Sequence, residues 1–222
     1  MTIRTTSLLL ALTALCAFAS TGSAEPMLTG TGGILDTLYG LENLVEVSSA
    51  LDQLWTNTGT LRASAKGKWA DYDQTFGYLS GDQGDAFRSL FTVEGDGYLS
   101  WPHGWAGESR TGEQFRFALD PRGAPRWSSA VDDNSDGVDH LRTFEITMGE
   151  SAGHYVLAWE DLPLGGDADY QDLVVEVSGA AIYSQAGGMD AGVPEPTTMA
   201  ILVAGGVGIF ARRKARRRRV PA

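Results

Sequence analysis

The sequence predicts an all-β protein whose single folded domain is a β-sandwich of the jelly-roll type. Short runs rich in valine, leucine and aromatic residues recur along the chain, and clusters of glycine, aspartate and asparagine separate them. Such regularly spaced short strands with turn signals are typical of a sandwich. The chain has 222 residues, and after removal of a segment at each end it has room for one domain of ordinary size.

Residues 1–24 have the layout of a secretory signal peptide. Arg4 supplies the positive start, residues 8–19 form the apolar core, and small residues lead to a predicted cleavage site after Ala24. The apolar core is about twelve residues long, which is too short to span a bilayer of roughly 30 Å. Cys16 is the one cysteine of the sequence and lies in this segment, so the mature protein is predicted to have no disulfide.

Residues 25–186 are predicted to form the sandwich, and residues 187–193 form the linker that follows it. Residues 34–39 fit either a short helix or a strand. Turn-forming residues, including 57–59, separate the strands that follow. These predicted strands are 44–47, 53–56, 61–65, 75–79, 87–93, 115–119, 154–159 and 173–177.

An acidic, glycine-rich segment joins the last two predicted strands. Its carboxylates are Glu160, Asp161, Asp167, Asp169 and Asp172, and no lysine or arginine occurs between residues 154 and 177. Carboxylates crowded on one short connection repel one another unless a cation lies among them. Because carboxylate oxygens are the ligands that Ca²⁺ prefers, the segment predicts a calcium site.

A second acidic segment precedes the first. Asp132, Asn134 and Asp136, followed by a glycine, match the first half of a calcium loop, and Asp139 adds a further carboxylate. Thr143 stands where a helix-loop-helix site supplies its bidentate glutamate, so the pattern predicts a calcium-type loop between strands and not an EF-hand. The alternative is an ordinary turn built from aspartate, asparagine and glycine.

These segments resemble a known family. Residues 159–177 read WEDLPLGGDADYQDLVVEV and residues 136–140 read DGVDH. Together they resemble the C-terminal signature of a group of uncharacterised extracellular bacterial domains, in which an aromatic-Glu-Asp-Leu, a glycine pair and Asp-x-Asp-Tyr-x-Asp precede a strand. The signature region here spans residues 115–178. The resemblance implies a fold and an extracellular location, and it implies no catalytic activity.

The predicted mature domain is strongly acidic. Between residues 25 and 193 the chain has 27 acidic and 9 basic side chains. Such a surface repels nucleic acid and anionic lipid, so neither is an expected partner. Solubility of a secreted protein is one explanation for the acidity, and cation binding by the acidic segments is the other.

The tryptophans fall into two sets. Trp55, Trp69 and Trp159 lie in or beside predicted strands and are expected in the core. Trp101, Trp105 and Trp127 lie in irregular sequence, where their faces could stack on sugar rings. A carbohydrate-binding module that uses Trp101 and Trp105 is therefore one hypothesis, with extracellular polysaccharide as the partner. The alternative is that these rings close one end of the sandwich.

The C-terminal segment, residues 194–219, has three parts. Pro194, Glu195 and Pro196 form the motif, residues 197–211 an apolar helix, and residues 212–219 a basic cluster. This order resembles the PEP-CTERM sorting signal, which implies processing by an exosortase-type enzyme. About fifteen helical residues cover only ~22 Å of a ~30 Å bilayer core, so the helix is expected to hold the protein in the inner membrane transiently. A permanent tail anchor is the alternative.

Patterns that predict catalysis are weak, and no catalytic residue is assigned. His103, His140 and His154 lack zinc-type spacing, and no G-x-S-x-G elbow is present. We therefore expect a non-enzymatic, calcium-stabilised structural or adhesive protein of the cell envelope or extracellular matrix, exported through the inner membrane. The alternatives are the carbohydrate-binding module and, behind it, a glycoside hydrolase with Glu160 as its acid.

Overall fold

A computed structural model describes residues 25–80, 86–99, 104–108 and 114–183, and the structural statements below refer to these ranges. The predicted signal peptide, the linker at 187–193 and the sorting signal at 194–219 lie outside them. Within the described ranges, the structure has no helix with the length and apolar character needed to cross a bilayer.

The described elements are mostly strands, which confirms the predicted all-β class. Residues 34–39, which fitted a helix or a strand, form α1 (Ile34–Tyr39), and three 3₁₀ turns lie at Leu41–Asn43, Val131–Asp133 and Pro163–Gly165. The strands are β1 (Leu44–Glu46), β2 (Trp55–Lys68), β3 (Gln74–Ser80), β4 (Phe87–Val93), β5 (Gly97–Tyr98), β6 (Gly104–Glu108), β7 (Gln114–Pro121), β8 (Trp127–Ser128), β9 (Leu141–Ile146), β10 (Tyr155–Trp159) and β11 (Leu173–Ile182).

These strands form one antiparallel sheet that folds back on itself. Its order is β1-β9-β10-β11-β2-β7-β3-β4, with β5 and β6 added on β2 and β8 on β7. Strands β3 and β10 are four positions apart, which in a flat sheet is a separation of about 19 Å. The ring centroids of Phe76 on β3 and Trp159 on β10 are nevertheless 6.4 Å apart. The two halves of the sheet therefore face each other across a common core, in the manner of a sandwich.

The strand between the two acidic segments shows how the sheet divides its side chains. On β10, Leu157 and Trp159 point into the main core between the halves, whereas Val156 and Ala158 point to the outer face. Helix α1 covers that outer face with Ile34 and other apolar residues. This period-two alternation leaves β10 buried on both faces, so the chain that leaves its end at Glu160 starts inside the protein.

One predicted turn is wrong. The structure has a single strand, β2, where separate strands were expected on either side of residues 57–59. Asn57 pairs with Ala180 and Arg62 pairs with Ser178, so residues 58–61 lie opposite Gly179 alone. Turn-forming residues here produce a wide bulge and no chain reversal. Gly179, with φ of 72°, permits the close approach because its α-carbon lies against the Thr60 carbonyl.

A strand was also missed. Strand β9 (Leu141–Ile146) pairs with both β1 and β10, yet its sequence LRTFEI was not among the predicted strands. The strand does not alternate in burial, because Leu141 packs in the main core while Phe144 and Ile146 pack on the outer face under α1. No simple period-two pattern therefore indicates it.

Candidate metal centre

The acidic segment at 160–172 connects β10 to β11, and the sheet brings its two ends together. Trp159 and Leu173 are paired across the two strands. The backbone N–H of Asp172 donates to the Trp159 carbonyl at 3.2 Å, and that of Glu160 donates to the His140 carbonyl at 3.0 Å. Because the ladder continues past the strand ends, the first and last carboxylates of the segment lie side by side.

Five predicted ligands converge in two overlapping groups. We call them the Glu160 cluster: Glu160, Asp161, Asp167, Asp169 and Asp172. One group joins Glu160 to Asp167 and Asp169, and the other joins Glu160 to Asp161 and Asp172. Within each group one oxygen of every carboxylate lies within 4.8 Å of the others. Two oxygens bound to one Ca²⁺ ion at about 2.4 Å are at most about 4.8 Å apart, so each group is compact enough for one ion.

The inner carboxylates of the cluster are withdrawn from water. Glu160 is 0 % exposed, Asp161 2 % and Asp172 9 %. Asp172 Oδ2 accepts a hydrogen bond from the Asp161 backbone N–H at 2.6 Å, and Asp161 Oδ2 accepts one from the Gln74 amide. Glu160 Oε1 accepts from the Leu162 backbone N–H at 3.2 Å. Glu160 Oε2 is buried and has no hydrogen-bond partner among the described residues.

The electrostatics of the cluster disfavour bare negative charge. Burial, with the charges of Asp161, Glu160 and Asp169 added, raises the pKa of Asp172 to about 9. Burial likewise raises the pKa of Glu160, where Asp167 and Asp169 act in the same direction. The pKa of Asp161 is also raised, mainly by burial. A carboxylate cluster of this kind needs either protons or cations to balance it.

The backbone around the cluster is strained, and one glycine is sterically required. Gly166 has φ of 47°, and a Cβ at this position would collide with the Glu160 carboxylate. Leu164, Ala168 and Tyr170 also have positive φ, at 61°, 59° and 55°. Such values are uncommon for residues with a side chain and persist where the surroundings impose them.

The predicted calcium loop at 132–139 has a different arrangement. Asn134 is buried, with Oδ1 accepting from the Ser128 backbone N–H at 2.7 Å and Nδ2 donating to the Val138 carbonyl at 2.8 Å. Asp136 accepts from the backbone N–H groups of Val138 and Leu164. Asp132 is exposed. In the described residues, the convergent groups of His, Cys, Asp and Glu ligands include neither Asp132 nor Asp136. A calcium loop at 132–139 stays a prediction beside the alternative of an Asp/Asn turn.

Asp139 lies in a third environment. Its Oδ1 accepts from the Leu141 backbone N–H at 3.0 Å, and it lines a cavity of about 590 Å³ together with Asp52, Arg142 and Tyr170. Burial raises the pKa of Asp139, against the hydrogen bond from Leu141 and the charge of His140. Asp139 is therefore not a member of the Glu160 cluster.

His140 links the two acidic segments, a role that the sequence analysis missed. Its ring is fully buried, with Nδ1 3.0 Å from the Glu160 carbonyl and Nε2 3.0 Å from Asp136 Oδ2. The ring stacks on Trp127 at 3.8 Å between centroids. Both nitrogens face oxygen acceptors, so both must carry hydrogen if both bonds are to form. The DGVDH segment at 136–140 contains this histidine, but the segment was interpreted as a calcium loop from its aspartates alone.

The tryptophans divide differently from the prediction. Trp55 and Trp159 are fully buried as expected, and so is Trp127, which supports the closing role proposed for the second set. Trp101 lies outside the described residues. Trp105 lies in β6, where its backbone pairs with Ala63, and its side chain is outside the description. Sugar stacking by Trp101 and Trp105 stays a prediction.

Comparison with known families assigns two regions of the chain. Residues 100–180 match the family model described as a domain of unknown function, DUF4114, and residues 192–219 match the PEP-CTERM protein-sorting motif. No curated protein sequence matches the chain. The first region contains both acidic segments and the whole Glu160 cluster. The second confirms the predicted sorting signal and indicates export to the cell envelope or the extracellular space, with a C-terminal anchor region.

Proposed function

We propose that the protein is a non-enzymatic component of the cell envelope or extracellular matrix, exported with exosortase processing, whose β domain is stabilised by calcium at the Glu160 cluster. The observation that carries the proposal is the convergence of four aspartate carboxylates on the fully buried Glu160. Desolvated carboxylates repel one another, and a cation among them turns that repulsion into a stabilising interaction.

The ligand chemistry supports calcium over other metals. The convergent groups contain carboxylates alone, which are hard oxygen ligands. The nearby imidazole of His140 has both nitrogens within hydrogen-bonding distance of oxygen acceptors, so neither is free to bind a softer ion. Ca²⁺ takes six to eight oxygens in variable geometry, whereas Mg²⁺ demands a near-ideal octahedron. An irregular loop of carboxylates therefore suits calcium best.

The geometry is unsuited to glycoside hydrolysis. A glycosidase places its two carboxyls about 5–9.5 Å apart, on either side of an open space for the sugar. Here one oxygen from each carboxylate of a group lies within 4.8 Å of the others, and Glu160 is 0 % exposed. A polysaccharide has no access to a side chain in that position, which supports a structural role for the carboxylates.

The export that the sorting motif indicates supports a calcium-binding role. Calcium sites of extracellular modules have dissociation constants of about 10⁻⁴–10⁻³ M. A domain with repelling carboxylates gains stability where such calcium concentrations occur, and the sorting motif indicates export to such a location. We infer that the domain reaches its full stability only after export, as a structural or adhesive component outside the inner membrane.

Thermal unfolding in calcium and in chelator tests the proposal. Calcium at a hundredfold excess over its dissociation constant is expected to add about 2.7 kcal/mol to the free energy of unfolding. Magnesium at the same concentration is expected to add less. Glu160→Gln should remove most of the calcium response, and the control Glu150→Gln, which changes an exposed carboxylate outside the cluster, should retain it. Equal unfolding temperatures in calcium and chelator would refute the proposal.

A further inference from the structure

We propose that the Glu160 cluster holds two calcium ions, bridged by the Glu160 carboxylate. This inference rests on the proposed calcium function and concerns the number and arrangement of the ions. An inner site uses Glu160, Asp161 and Asp172, and an outer site uses Glu160, Asp167 and Asp169. Glu160 is the one residue that the two groups share.

The distances within the cluster divide the carboxylates between two centres. Oxygens that share one Ca²⁺ ion at about 2.4 Å must all lie within about 4.8 Å of one another. Asp161 and Asp172 meet this condition with Glu160, as do Asp167 and Asp169, but the five do not form a single group that meets it. One ion therefore satisfies one side of the cluster and leaves the carboxylates of the other side without a cation.

Glu160 has the free capacity that a bridging ligand needs. A carboxylate offers about four lone-pair positions on its two oxygens. Oε1 accepts one hydrogen bond, from the Leu162 backbone N–H, and the buried Oε2 has no partner among the described residues. A buried acceptor without a partner is costly, so a ligand for Oε2 is expected at this position. On the Oε1 side, Gly166 lies so close that a Cβ there would collide with this oxygen and with Leu162 Cβ.

The charge of the cluster also calls for two ions. When the cluster binds calcium, its carboxylates must be ionised and together carry five negative charges, so one Ca²⁺ leaves three of them uncompensated and a second leaves one. Lys68 is the cation whose charge acts on Asp161, but its ammonium group binds the Ala70 carbonyl and lies 3.2 Å from Asp96. It therefore does not substitute for an ion inside the cluster.

The two sites differ in burial, so they are expected to differ in exchange with solvent. Asp161 and Asp172 are buried, whereas Asp167 is exposed and Asp169 is half-buried. The outer ion should therefore leave first when a chelator is added, and the inner ion should leave more slowly. Substitutions of the exposed Asp167 and of Asp169 remove two ligands of the outer site and leave Asp161 and Asp172 in place.

Equilibrium dialysis of the full chain against radioactive calcium, after chelator treatment, measures the number of ions directly. Two ions per chain are expected, and two are also expected for the control Glu150→Gln. The double variant Asp167→Asn with Asp169→Asn should bind one ion, and Asp161→Asn should bind one. Circular dichroism verifies that each variant is folded. If a variant of a buried residue does not fold, the number of ions bound by the wild type still decides between one site and two.

The outcomes separate this inference from the proposed function. A wild-type value of one ion per chain overturns the bridged pair and leaves the calcium function standing. A value of two that stays at two in the outer double variant also overturns it, because the second ion would then lie elsewhere. A value of zero overturns both proposals.

Discussion

The Asp136 carboxylate accepts a hydrogen bond of 2.7 Å from the Leu164 backbone N–H and so ties the first acidic segment to the second. The same oxygen, Oδ2, lies 3.0 Å from His140 Nε2. Leu164 has a positive φ and is 76 % exposed, so its own side chain contributes little to holding this conformation. The contact identifies Asp136 as a support for the loop that carries the Glu160 cluster.

Asp136→Ala is therefore expected to lower the free energy of unfolding by at least about 2–3 kcal/mol, since a single hydrogen bond to a charged group is worth roughly 1.5–3 kcal/mol. Burial alone would raise the pKa of Asp136, but hydrogen bonds from Leu164, Val138 and His140 lower it to about 2, so the group is charged near neutral pH. Urea denaturation measures the change. The matched control Asp132→Ala, on an exposed side chain of the same segment, should change stability by less than about 0.5 kcal/mol. Equal effects of the two substitutions would contradict this role.

Gly166→Ala should weaken calcium binding as well as stability. An alanine Cβ would collide with the Glu160 carboxylate and displace it from both groups of the cluster. The control is Gly137→Ala, because Gly137 also has a positive φ, 68°, but a Cβ there meets no described atom within 4 Å. A side chain at positive φ costs about 1–3 kcal/mol, and the cost is larger for Gly166→Ala because the ψ of Gly166, −124°, lies outside the left-handed region. In calorimetric titration with calcium, Gly166→Ala alone should lose affinity, and an equal loss in both would remove the steric explanation.

Glu176, which lies outside the Glu160 cluster, is expected to make a contribution to the free energy of unfolding that is lost at acid pH. Burial alone would raise its pKa, but hydrogen bonds from Lys66 and His154 lower it from 4.5 to about 2. A carboxylate with a lowered folded-state pKa stabilises the protein above its unfolded pKa and loses that stabilisation as pH falls through the folded value. The contribution should be roughly 3 kcal/mol near pH 7.

Chemical denaturation of Glu176→Gln against the wild type at several pH values checks this. The difference in the free energy of unfolding should be full above about pH 5 and should shrink between pH 4.5 and 2. Glu150→Gln provides the baseline for loss of an exposed carboxylate. A difference that stays constant from pH 7 to pH 3 would show that Glu176 acts through packing alone.

The sorting motif predicts that the C-terminal segment is removed by proteolysis. We expect a mature protein cut after Ala24 and again at or near Pro194-Glu195-Pro196, since the apolar stretch at 197–211 is too short for a stable anchor. Mass spectrometry of the secreted protein identifies both ends. Replacement of Pro194 and Pro196 by alanine should leave the protein in the inner membrane. A secreted product that still ends at Ala222 would contradict processing.

Local sequence patterns predicted much of the fold. Runs such as 87–93 became strands with the same limits because their apolar and aromatic residues fit a half-buried pleated surface. The turn predicted at residues 57–59 was wrong because the same residue types form bulges and chain reversals. The bulge depends on Gly179 in β11, which is distant in the sequence. Strand β9 was not predicted because it lies between two polar segments, which were interpreted through their carboxylates.

The candidate site was predicted in part for the same reason. Glu160, Asp161 and Asp172 converge because β10 and β11 pair at Trp159 and Leu173. This pairing could be predicted, because the two strands are consecutive in the sequence and a short segment joins them. The roles of Gln74 and His140 depend on contacts across the fold, so no local pattern could indicate them. Asn134 and Asp136 matched a calcium motif, yet their side chains bind the backbone of their own and the neighbouring loop.

The most direct test of the account is the anomalous scattering of calcium in crystals of the protein grown with calcium, measured with long-wavelength X-rays. Two anomalous peaks are expected next to the Glu160 carboxylate, one beside Asp161 and Asp172 and one beside Asp167 and Asp169. A map with no peak at Glu160, or with calcium only at Asp132, Asn134 and Asp136, would contradict it.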